Sequence, residues 1–81
     1  RRFLRLTLVL ELFDKSSSKQ IIKRIEGVRG SVLKTLISTS LKNVENTQGK
    51  QVLAEEIIST INLLLKEKIV RKVFFKDVLV I

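Results

Sequence analysis

The chain has 81 residues, a formal charge of +8, and neither His nor Cys, so the commonest general base, metal ligand and thiol nucleophile are all missing. Its length leaves room for one domain over residues 1–81, and a 44% hydrophobic content rich in Leu, Ile and Val can build that core. No apolar run reaches the ~18 residues of a spanning helix and no signal-peptide core is present.

Residues 3–13 alternate strictly, with Leu4, Leu6, Leu8, Leu10 and Leu12 on one side and Arg5, Thr7, Val9 and Glu11 on the other. That pattern predicts a half-buried strand, and its leucine face is expected to form the core under the helices. Asp14 and Lys15 start a turn, and Ser16, Ser17 and Ser18 offer helix caps. From about 19 to 38, Ile21, Ile22, Ile25, Val28, Val32, Leu33, Leu36 and Ile37 recur at three- and four-residue spacing, the mark of an amphipathic helix. Gly27 and Gly30 weaken it, so one bent helix or two short ones meeting there is expected. Residues 41–45 read as a connector, and Asn46-Thr47 as the next cap. A second helix is predicted from 47 or 48 to 66, with Val52, Leu53, Ile57, Ile61, Leu64 and Leu65 inward and Glu55, Ser59 and Asn62 near its polar edge. Residues 69–81 are β-branched and aromatic, a final strand with a bulge where alternation slips at Lys76-Asp77, and with Phe74 and Phe75 in the core. The whole is α+β, strand-helix-helix-strand, an antiparallel sheet packed on two helices. Two strands alone are marginal, so a further strand is expected from upstream or from a neighbouring chain. The opening on Arg1-Arg2-Phe3 inside strand-like sequence, with no Met anywhere, suggests that the natural chain begins further upstream.

Little chemistry is available to such a chain. The carboxylates Glu11, Asp14, Glu26, Glu45, Glu55, Glu56, Glu67 and Asp77 lie beside cations or on polar faces, which marks surface charge rather than a tuned acid or base. Gly27, Gly30 and Gly49 fit neither phosphate-binding pattern. Neither a catalytic site, a cofactor nor a metal is therefore expected. Asn62 reads as a local hydrogen-bonding residue before a partner contact, and Lys50 as part of a helix first turn. The positive charge suits a nucleic-acid binder, yet it is scattered through every element, without a stacking aromatic set or a glycine clamp. A basic face could also lean on anionic lipid headgroups.

Three stretches together resemble a known family: Thr47-Gln48-Gly49-Lys50-Gln51-Val52-Leu53-Ala54-Glu55-Glu56-Ile57, then Ile61-Asn62-Leu63-Leu64-Leu65, then Val73-Phe74-Phe75-Lys76-Asp77-Val78-Leu79-Val80. They are similar to the C-terminal domain of the flagellar basal-body-associated FliL family. The opening Arg2-Phe3-Leu4-Arg5-Leu6 with Leu8, Leu10, Glu11 and Leu12, and Leu36-Ile37-Ser38-Thr39-Ser40, extend the resemblance to nearly the whole chain. Val78 stands where that family usually has Phe, and Phe74 where Tyr is common. The resemblance implies a non-enzymatic periplasmic domain on a single-pass inner-membrane protein, with the spanning helix upstream. It further implies a fold similar to the stomatin and prohibitin (SPFH) group, a homo-oligomeric ring, and stabilisation of the ion-driven stator units of the flagellar motor.

A ring needs two complementary surfaces on each copy. The first helix exposes Lys19, Lys23, Arg24 and Lys34 with Glu26 opposing, while the second begins its exposed side with Glu55 and Glu56. Lys19, Lys23, Arg24, Lys34, Glu55 and Glu56 are the candidate self or partner interface. Exposed ion pairs contribute only about 0–1 kcal/mol each, so the free domain should associate weakly and gain from membrane tethering.

Overall fold

The computed structural model describes residues 3–39 and 46–81. Arg1, Arg2, the expected connector at 41–45, and the side chains of Leu4 and Val80 lie outside that description.

Strand β1 (Leu4–Leu12) leads through a 3-10 turn (Lys15–Ser17) into helices α1 (Ser18–Lys23) and α2 (Ile25–Ile37), followed by α3 (Thr47–Leu65) and strand β2 (Val70–Val80). The strands pair antiparallel, because the helices carry the chain back to the end of the sheet from which it departed. This is the expected α+β order, with the first helix divided in two. The turn is capped by Asp14, whose side chain accepts from the Ser16 N–H at 3.0 Å. None of the three serines caps α1, since Ser17 at its N-cap makes no side-chain bond.

The division falls at Arg24 and not at the glycines. Gly27 and Gly30 lie within α2 without positive φ, and a Cβ at Gly27 would meet Leu64 Cδ2 at an ordinary 3.4 Å. Arg24 instead leaves helical geometry at φ −117°, ψ 29°, and its guanidinium Nη1 donates to the Leu64 carbonyl at 3.2 Å. A bond to the last turn of α3 thus holds the joint. Hydroxyls finish α2: Ser38 and Thr39 both donate to the Thr35 carbonyl, relieving the unpaired acceptors of a helix end. At the start of α3, Asn46 accepts from the Gly49 N–H at 3.1 Å, the expected cap.

The core is built more from α3 and β2 than from the leucines of β1. Leu53, Ile57 and Ile61, one stripe of α3 at four-residue spacing, are buried together with Ile69, Val70 and Val73, and with Ile21 and Val28 from α1 and α2. Leu6, Leu8, Leu10 and Leu12 do face this cluster, but remain half-buried. The reason is the stacking order: α2 packs on α3 and α3 packs on β2, so cover thins out toward β1. Val52, expected inward, is 56% exposed, and Phe74 is 49% exposed. Both stand off the stripe that their element buries.

Strand β2 places Val70, Val73, Phe75 and Val78 toward the helices, spacings of three, two and three that strict alternation forbids. Two register shifts solve this. Leu8 pairs with Phe75 after Thr7 pairs with Asp77, leaving Lys76 extra; Leu12 pairs with Val70 after Glu11 pairs with Lys72, leaving Arg71 extra. The first is the expected bulge and the second is additional. Each extra residue returns the apolar side chains to the inner face.

Asn62 fixes the turn from α3 into β2. Its Oδ1 accepts from the Ile69 and Val70 N–H groups at 3.0 and 2.8 Å, and its Nδ2 donates to the Val70 carbonyl at 3.0 Å. The expected local role is therefore larger than a bond at a polar boundary. The helix closes in a Schellman ending, Glu67 N–H to the Asn62 carbonyl and Lys66 N–H to the Leu63 carbonyl, with Lys66 in the left-handed region at φ 57° where glycine is usual.

Depth in the core is measurable. Ile61→Ala should cost about 3–5 kcal/mol and Leu8→Ala about 1–2 kcal/mol, because the second site is already half open; urea melts giving equal losses would contradict this order of burial. Asn62→Ala should cost about 2–4 kcal/mol, since it orphans two N–H groups and a carbonyl beside buried residues. Asn62→Asp keeps the acceptor and loses the donor, so its melting temperature should lie between; an unchanged melt for Asn62→Ala would remove this amide from the account. Lys66→Gly should raise stability by about 0.5–1 kcal/mol by relieving the left-handed backbone, and any loss would argue that the lysine side chain matters more than its φ.

Candidate interaction surfaces

Lys19 and Lys23 are four residues apart and share one face of α1. They are exposed, as are Arg24 at the joint, Lys34 in the last turn of α2, and Glu55 and Glu56 on α3 beside its buried stripe. Among the described residues the ion pair is Glu11 with Arg71, Oε2 to Nε at 3.6 Å. None of the six candidate charges is in an ion pair with a described neighbour, and α2 exposes Glu26 beside its cations. Arg24 is the exception in role, because its guanidinium already serves the Leu64 carbonyl. Arg29, exposed on α2, is a cation that the expected basic set leaves out, although it lies one turn before Leu33 on the same helix.

Apolar surface is the larger surprise. The sheet's outer face carries Val9 opposite Phe74, Phe3 near Ile81, and Leu79 opposite Arg5, and every one of these apolar side chains is between 46% and 65% exposed. On the helices, Ile22, Ile37 and Leu63 are more than two-thirds exposed. A signal for this was available. In α2, Val28, Val32 and Leu36 at four-residue spacing make one stripe, and Leu33 and Ile37 fall beside it; α3 repeats the arrangement with Leu53, Ile57 and Ile61 against Val52 and Leu63. One neighbouring element can cover only one stripe of each helix.

Between the leucine face of β1 and α2 runs an apolar groove of about 560 Å³, lined by Leu6, Leu8 and Leu10 on one wall and Val28, Val32 and Leu36 on the other. Its polar lining residues are Arg29 and Thr7, and the Thr7 side chain belongs to the opposite face of the strand. One cation without a carboxylate supplies no acid and base pair and no ligand set for a metal. No cluster of three metal-ligating side chains occurs among the described residues, and no described helix is long and apolar enough to cross a membrane. Such surfaces suit contact with other macromolecules, by charge on the helices and by apolar packing at the sheet.

Comparison with known proteins supplies the biological setting. No curated protein matches the chain. The family described as flagellar basal body-associated protein FliL matches it over residues 1–80, which takes in the described strands and helices, the Asn62 junction and the six candidate charges. With nearly its whole length matched, the chain belongs to the FliL family of flagellar basal body-associated proteins.

Proposed function

We propose that this chain is the periplasmic domain of a single-pass inner-membrane protein, held by a spanning helix upstream of Arg1, that forms a ring around the ion-driven stator units of the flagellar motor. In that place it stabilises the stators in their active, extended state and supports motility without catalysis. The observation that carries this reading is family membership along residues 1–80. The α+β layering of helices on an antiparallel sheet agrees with an SPFH-like fold, the ring-forming group that the family's domain resembles.

The charged faces suit the assembly. Lys19, Lys23 and Lys34 lie on α1 and α2, and Glu55 and Glu56 on α3, all exposed and none in an ion pair with a described neighbour. A contact from the basic face of one copy to the acidic face of the next is heterologous, and closes when the rotation per copy divides the circle. Each such ion pair is weak, so copies confined beside a membrane assemble where free domains do not.

Charge reversal in the full-length protein tests the contact. Lys23→Glu should weaken each association by up to about 1 kcal/mol, roughly fivefold, and reduce ring assembly and swimming together. Adding Glu55→Lys should recover part of both. If each single change leaves assembly and swimming intact, or the pair performs no better than either alone, the ring uses other surfaces.

A further inference from the structure

The two outer edges of the sheet formed by the described strands are unlike. β2 carries two bulges and the charges Arg71, Lys72, Lys76 and Asp77, the devices by which proteins make an edge unfit for further pairing. β1 has no extra residue, no Pro and no Lys, and no described strand pairs with its outer side. It is a regular nine-residue edge with an open apolar groove along its inner face.

The hydrogen-bond phase of β1 shows which residues serve that edge. Phe3 exchanges both backbone bonds with Ile81, and the Phe13 N–H donates to the Ile69 carbonyl, so the odd-numbered residues turn their backbone groups toward β2. Leu4, Leu6, Leu8, Leu10 and Leu12 consequently turn theirs outward. The strand is also self-complementary. Reversed upon itself about Leu8, Leu-Arg-Leu-Thr-Leu-Val-Leu-Glu-Leu sets Leu6 against Leu10, Thr7 against Val9, and Arg5 against Glu11.

We propose that β1 pairs antiparallel with β1 of a second copy, about a twofold axis at Leu8, to make one four-stranded sheet. The phase agrees with this register: leucines fall at the hydrogen-bonded positions, and Thr7–Val9 and Arg5–Glu11 at the closer, non-hydrogen-bonded ones. Opposite charges then face each other twice across the axis. A second leucine row lies beside the first, and extends the apolar floor beneath the groove between β1 and α2. Glu11 already meets Arg71 at 3.6 Å and has Lys72 opposite on β2, a surplus of cations that shifts the weight of the pairing to the backbone and the leucines. This dimer closes on itself and leaves the charged helix faces unused, so it stands or falls independently of the ring contact.

The chain has no cysteine, so engineered thiols report the register directly. Thr7 and Val9 are exposed, and their substitution leaves the core untouched. Directly opposite non-hydrogen-bonded residues have Cα atoms about 4.5 Å apart, within disulfide reach. Under mild oxidation an equal mixture of Thr7→Cys and Val9→Cys chains should give at least fivefold more disulfide-linked dimer than either variant alone. Analytical ultracentrifugation of the unmodified chain should show a monomer–dimer equilibrium; Arg5→Glu should shift it several-fold toward monomer, and Arg5→Glu with Glu11→Arg should return it. A chain that stays monomeric at high concentration, or a mixture that cross-links no better than the single variants, would overturn the proposal.

Discussion

Everything in this fold turns on one side chain that gives the backbone what the backbone cannot supply for itself. Where α3 ends and β2 begins, Ile69 and Val70 are almost wholly buried, yet neither belongs to a helix that could satisfy its N–H group. Asn62 accepts from both and donates back to Val70. Ile69 in turn presents its carbonyl to Phe13 just beyond β1, so a single amide ties the last turn of α3 to one end of the sheet. An amide suits the place because it carries donor and acceptor on one short, planar group. A carboxylate lacks the donor, and a hydroxyl cannot span all three partners.

From that junction the packing follows in one direction. Fixing the start of β2 under α3 brings Ile69 and Val70 into one cluster with Ile57 and Ile61, the most deeply buried of the described side chains. α2 then lies on the remaining side of α3, with Arg24 locking its beginning to the Leu64 carbonyl. β1 comes last, attached through the sheet ladder and touched only in part by helices. The result is a gradient of burial across a molecule too small to cover every apolar stripe it possesses.

How far these features were legible from the residues depends on their range. The alternation of β1, the four-residue stripe of α3 and the Asn46 cap are local patterns, and each appears where its spacing puts it. So does the bulge at Lys76, since a three-residue gap between inward side chains requires an extra residue. The break at Arg24 escaped because the bond that accompanies it is made to a carbonyl 40 residues away, and the glycines that offered a local reason were compatible with a helix. The half-open leucine face escaped for a similar reason: alternation tells which side of a strand is apolar, and not how much helix lies over it. The charged candidates were legible as exposed. Arg24's hold on α3, and the groove beside β1, required the tertiary arrangement.

One consequence concerns mechanical force. Phe3 and Ile81 exchange backbone bonds, so the two ends of the described chain emerge side by side from the same end of the sheet. Tension applied between them would not shear the ladder, which would strain all its bonds at once; it would peel the strands apart one rung at a time, beginning at Phe3–Ile81. The Asn62 junction sits at the far end and would be the last to feel it. Pulled this way the sheet behaves like a zipper, opening at small force while its helical core is still intact. Tension arriving through only one end would leave the rungs closed and hand the force to whatever surface the domain has docked.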